Sequence, residues 1–156
     1  MLSAGLRRRL GRGSVAGLAG GLAFAVTMAV DQRLSGCRAD DYRLLADFGP
    51  FARWWPVTGR VVHGLNSAAV GAAYAVAEDR LRGPGWVRGL TFAMIENTVL
   101  WPAIVVFDRV HPAIRSGRLP RYNQPLPALL EVGRHIAFGV VLGAVYERVR
   151  PATREA

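Results

Sequence analysis

From Gly89 to Phe107 the chain reads GLTFAMIENTVLWPAIVVF, an almost wholly apolar run. Coiled into a helix, about nineteen residues at 1.5 Å each reach roughly 28 Å, close to the hydrocarbon thickness of a bilayer. Such a run constrains the chain more than any other feature, because it needs lipid or a large core around it. Its middle carries Glu96 and Asn97, with Pro102 beyond them. A carboxylate at mid-membrane costs about 2.5–3.5 kcal/mol even on insertion scales, so it needs a partner, a proton or a hydrated surface.

Three further segments resemble this one: Ser14 to Val30, Val57 to Ala77, and the stretch from about Ala128 to Tyr146. Four spans over 14–30, 57–77, 89–107 and 128–147 make an all-α integral membrane protein. Residues 1–13 then form a basic cytoplasmic tail and 148–156 a polar one. The first run could also serve as a cleavable secretory signal, but it is long for that and three like segments follow. A formal net charge of +9, all of it set by arginine against acid, raises the question of nucleic acid. The arginines flank apolar runs, where they anchor helices at lipid headgroups, so the pattern argues against nucleic acid. Cys37 is the single cysteine, which excludes an intramolecular disulfide and a multi-cysteine metal site.

The connecting segments differ in character. DDYRLLADFGPFARWW, with Tyr42, Phe48, Phe51, Trp54 and Trp55, suits a short interfacial helix. The stretch 110–127 holds Pro112, Pro120, Pro125 and Pro127 and predicts an extended, surface-lying loop with a solvated His111. Pro102 predicts a kink in the third span. Gly13, Gly17 and Gly21 share one face of the first helix, and Gly139 and Gly143 one face of the fourth. Small-residue faces of this kind let helices approach closely, within the chain or between chains.

The second and fourth spans are alike. GRVVHGLNSAAVGAAYAVAEDRLR starts at Gly59 and GRHIAFGVVLGAVYERVR at Gly133, and aligning both ends needs a gap. The first and third share GLAFA at Gly21 and GLTFA at Gly89, in another register. Two tandem helical hairpins explain the set, with an axis along the membrane normal. That arrangement gathers Asp31, Arg60, Asp108 and Arg134 at one face and predicts Asp–Arg ion pairs involving Asp31 and Asp108. The basic N-terminus favours cytoplasmic ends, yet the arginines divide evenly between the two sides, so dual topology stays open.

Glu96, Asn97, His63, Asn66, Arg60, Arg134 and His135 form the candidate intramembrane polar site. Arg60, His63 and Asn66 recur every three residues, which puts them on one helix face. The functional reading makes Glu96 a titrating group and the histidines relays on a proton or cation path. The structural reading makes them interhelical ties. Zinc-protease, serine-hydrolase and nucleotide-binding motifs are absent, and Ser67 near His63 is the only local nucleophile–base candidate. No metal, cofactor or enzymatic activity is expected. His63, Gly71, Tyr74, Ala77-Glu78, Gly89 and Phe92 resemble the pattern of YagU-like bacterial inner-membrane proteins. That resemblance implies a bacterial plasma-membrane location and supplies no catalytic residues. The reading is a non-enzymatic membrane component whose partners are the lipid bilayer and a second copy or another membrane protein. The alternative is a small oligomeric proton- or ion-coupled transporter or channel using Glu96.

Overall fold

The computed structural model describes residues 3–47 and 49–150, with only the backbone at 49–51. Phe48, Phe51 and the tail after Arg150, which entered the reading above, lie outside what is described. The described residues are all-helical, with four long helices: α1 (Ala4–Ser35), α3 (Trp55–Ala77), α4 (Gly85–Val110) and α6 (Pro125–Val149). Two short ones, α2 (Asp41–Ala46) and α5 (Pro112–Arg115), cap one end. Three of the long helices, α1, α4 and α6, are long and apolar enough to cross a membrane. Four spans were expected; in α3 the polar residues Arg60, His63, Asn66 and Ser67 dilute the apolar run.

Helix ends follow local chemistry. Ser3 caps α1 by accepting the Leu6 N–H at 3.2 Å, so the arginines at 7–12 are helical rather than a free tail. This corrects the expected tail over 1–13. At its other end α1 runs past Asp31 and stops at Gly36, whose φ of 68° is left-handed. Its 32 residues span about 48 Å, so both ends outreach a bilayer core. Asp40 caps α2 through the Arg43 N–H. The helix α4 continues through Pro102 to Val110.

The long helices alternate in direction. They pack as two antiparallel pairs, α1 with α3 and α4 with α6, joined by a third extensive interface between α1 and α6. Small residues make both pair contacts. A Cβ on Gly13 or Gly17 would run into the backbone of Gly71, and one on Gly21 into Ser67. In the other pair, Gly85 and Gly89 lie against Gly143, and Gly139 lies against Gly89 and Ala93. The glycines that make these like contacts, Gly13 and Gly85, Gly17 and Gly89, Gly71 and Gly143, are each separated by 72 residues, as are Glu78 and Arg150. Tyr74 and Tyr146 obey the same spacing and meet edge-to-face, ring centres 5.4 Å apart.

The like contacts of the two pairs do not follow the register read from the sequence. Gly17, not Gly21, corresponds to Gly89, and the histidines correspond without a gap. The Gly-Arg pairs at 59–60 and 133–134 are not equivalent, and their arginines behave differently. Arg134 is wholly buried, whereas Arg60 is exposed, with its guanidinium 5.3 Å from the Tyr42 ring centre.

The segment 110–127 is not an extended surface loop. His111, Ala113, Ile114, Leu119 and Tyr122 are buried with Ala39 and Leu44 in a second small core under the α2–α5 cap. Apolar residues spaced between the prolines drive this collapse. His111 is therefore buried, not solvated. Its Nε2 meets the Leu44 carbonyl at 3.1 Å, and its Nδ1 accepts the Ala113 N–H at 3.1 Å. This pattern requires the neutral Nε2–H tautomer. Burial holds its pKa below the ordinary histidine value. Asp108 serves the same cap: its two carboxylate oxygens accept the N–H groups of Tyr122 and Asn123 at 2.7 and 2.8 Å. It is a backbone acceptor, not the ion-pair member the sequence suggested.

At the opposite end, Glu78 is buried among Arg88 at 2.7 Å and Arg150 at 3.0 Å. Burial raises its pKa, and Asp79 beside it is held low by the Arg9 guanidinium. These groups clamp the α3–α4 turn to the ends of α1 and α6.

Candidate functional site

Near their connecting turn α3 and α4 approach, with Tyr74 and Phe92 ring centres 5.4 Å apart. Further along they diverge and share no interface comparable to the other three. The space between holds a cavity of 230 Å³. The α3 wall is His63, Asn66, Ser67 and Val70, and the α4 wall runs from Glu96 and Asn97 to Phe107. Phe24 of α1 and Phe138 of α6 close the back, and Asp41 and Leu44 of α2 close the end.

Helical periodicity explains the convergence. On α3, positions 63, 66, 67 and 70 form one stripe; on α6, 131, 135 and 138 do the same. Each stripe lies beside the small-residue face that docks its helix, so docking α3 on α1 and α6 on α4 turns both toward the gap.

A polar chain runs along the cavity floor. His135 Nε2 is 3.3 Å from Glu96, and its Nδ1 is 2.9 Å from the Glu131 carbonyl oxygen and 3.4 Å from the Glu131 carboxylate. Glu131 in turn lies 3.4 Å from Arg134. Behind the cavity, Arg134 donates to Asp31 through Nε and Nη2 at 2.7 and 2.8 Å, to Asp41 at 2.9 Å, and to the Ala39 carbonyl at 3.1 Å. The Asp31–Arg134 contact ties α1 to α6, across the two pairs. Tyr122, also buried at this end, has its hydroxyl pKa pushed well up by burial and by the nearby Asp41 carboxylate.

His63 sits between Phe24 and Tyr42, ring centres 5.2 and 5.3 Å away, and its Nε2 meets the Gly21 carbonyl at 3.1 Å. The ring nitrogen thus engages a backbone carbonyl rather than Ser67. Asn97 is 8% exposed, and its amide has no hydrogen-bond partner among the described residues.

Of the seven sequence candidates, Glu96, Asn97, His63, Asn66 and His135 line the cavity, and Arg134 organises its floor from behind. Arg60 is apart, on the exposed side of α3, reaching back to the Pro56 carbonyl. Asp41, Glu131 and Phe24 join the site without having been singled out. The four-residue step from Glu131 to His135 was a visible signal for the second. Nothing in the Asp-Asp pair at 40–41 shows that α2 folds back against the long helices.

Fold and cavity together define an all-helical protein with helices able to cross a membrane and a polar-floored cleft among them. The chain belongs to a family of unknown function, DUF6789, whose model matches residues 7–156. No curated protein and no solved structure matches it.

Proposed function

We propose that this is a four-span, non-enzymatic protein of the bacterial plasma membrane, built from two like hairpins, that uses the α3–α4 cleft as a solute-binding site on a proton- or ion-coupled path. The carrying observation is the convergence of Glu96, Asn97, His63, Asn66 and His135 on one cavity. Polar groups of this kind in a membrane protein are costly unless they face each other or water.

Several observations support the parts of this reading. Helix α3 lies antiparallel along α1 through Gly13, Gly17 and Gly71, so a crossing by α1 carries α3 across with it. His63, Asn66 and Ser67 of α3 line the cleft, and only Arg60, near the start of the helix, stays on its exposed side, which weakens the main objection to a fourth span. The constant spacing of 72 residues supports duplication of a hairpin. The glycine faces of α1 and α6 are consumed inside the chain, which weakens a purely scaffolding role built on them. Exposed Leu22, Leu65, Val99 and Leu129 support the lipid bilayer as the partner of the outer faces, where a second copy would also pack. Resemblance of the His63–Phe92 stretch to YagU-like proteins supports the plasma-membrane location.

The test is access of water to the cleft. In a Cys37→Ser background, Asn97→Cys and Ala93→Cys are reconstituted and treated with a water-soluble thiol reagent. Ala93 is wholly buried in the α4–α6 contact. The reading expects modification at 97 and protection at 93. Equal protection at both would make the cleft a dry helix contact and end the transport reading.

A further inference from the structure

The polar floor of the cleft has an excess of acid. Four carboxyl groups, Asp31, Asp41, Glu96 and Glu131, share one guanidinium, Arg134, and one imidazole, His135. Arg134 is 0% exposed, and its Nε, Nη1 and Nη2 all donate to protein acceptors. It has nothing left to offer an anion in the cavity. Coulombic interactions strengthen as the surroundings become less polar, so a carboxylate that stays ionised here favours a cation, and Glu96 has only the His135 imidazole, at 3.3 Å, beside it.

Apart from His63, Asn66, Ser67 and Asn97, the remaining surface of the cavity is apolar. Phe24, Leu100, Ile104, Phe107 and Phe138 contribute to its walls. Aromatic faces add cation–π attraction to an alkylated ammonium. The free amide of Asn97 supplies one directional polar contact. An engineered cavity of roughly 150 Å³ takes benzene, so 230 Å³ holds a single ring with a small ammonium head. Asn66 and Leu100 are exposed at the mouth, where α3 and α4 part. A solute already dissolved in the membrane can enter there without crossing the cap.

We propose that the α3–α4 cleft binds a small amphiphilic organic cation, an ammonium head on an apolar body, with Glu96 as its counter-ion. The proposal rests on the cleft being a binding site, as argued under the function above. A bare metal ion fits less well, because most of the cavity wall would offer it no oxygen ligand.

The probe is radiolabelled benzyltrimethylammonium, which carries a permanent charge, measured against protein in lipid nanodiscs. Its neutral carbon isostere, neopentylbenzene, is the competitor. Three proteins are compared: the unaltered chain, Glu96→Gln, and Val70→Trp, which fills the cavity from α3 and leaves the carboxylates in place. Size-exclusion behaviour and thermal midpoint establish that each is folded. The expected result is saturable binding of the cation, weakened about tenfold or more by Glu96→Gln, lost in Val70→Trp, and poorly displaced by the isostere. Binding of cation and isostere alike, indifferent to Glu96→Gln, would overturn the inference while leaving an apolar binding cleft. No cation binding in a protein whose residue 97 is water-accessible would also overturn it. Protection of residue 97 would remove the underlying functional reading itself.

Discussion

Burying a guanidinium is tolerable only when every donor finds an acceptor, and Arg134 meets that condition with Asp31, Asp41, Glu131 and the Ala39 carbonyl. Removing it leaves carboxylates facing one another in a poorly hydrated site. Arg134→Gln is expected to destabilise the fold by about 3–5 kcal/mol, read as a fall in thermal midpoint in detergent. Arg60→Gln, at an exposed site, is expected to stay within about 0.5 kcal/mol. Comparable losses from the two would contradict the assigned network. His111 gives a pH signature. Its folded pKa lies below the ordinary 6.5, so the unfolded chain takes up the proton first as pH falls. The stability it contributes is present above that value and declines below it. Protonation would put a hydrogen on Nδ1 where the Ala113 N–H already points. The thermal midpoint should therefore drop between pH 7 and 5.5, and His111→Gln should flatten that part of the profile. An unchanged slope in the variant would assign the drop elsewhere.

Among the elements, the two small-residue contacts set how closely helices approach. Where a glycine meets the partner's backbone, an added side chain cannot be accommodated by rotamer change and must push the helices apart. Gly17→Val and Gly89→Val are each expected to cost about 1–3 kcal/mol or more. Gly64→Val, where the nearest foreign atom is 4.0 Å away, should be far milder. Stability measured for the three in one detergent decides the point. The constant spacing adds a sharper expectation: Gly17→Val and Gly89→Val, at corresponding positions, should cost similar amounts. The likeness between the two pairs does not extend to their other contacts, however. The extensive α1–α6 contact would have an α3–α4 contact as its counterpart, and there the cleft opens instead.

For the whole molecule, the alternation of helix direction places the α2–α5 cap on one side and the Glu78 cluster with the α1 start on the other. If all four long helices cross, the segment bearing Cys37 lies opposite both termini. Cys37 is a partly buried free thiol beside the cap. With the basic end of α1 inside the cell, an impermeant thiol reagent should label Cys37 in intact cells. Labelling only after lysis would invert the orientation, and a stable half would show dual topology. An odd number of crossings is excluded if a tag at Arg150 and one at Ser3 report the same side.

Much of the site was visible in the chain because it depended on local rules. A costly carboxylate in an apolar run, a polar stripe at helical spacing and paired small residues are readable wherever the helix repeat holds. From these came the helical class, the segments to suspect of crossing, and Glu96, Asn97, His63, Asn66 and His135 as the groups to watch. Tertiary packing decided the rest. It set the register between the helix pairs, because only backbone contact shows which glycines oppose each other. It folded the proline-rich segment inward, since its few apolar residues gain burial only against a cap brought from Ala39 and Leu44. It separated Arg134 from Arg60, identical in their Gly-Arg context, by giving one of them acidic neighbours from α1 and α2. And it left the α3–α4 edge open, because an interface that fails to close follows from how four surfaces meet and from no single stretch of sequence.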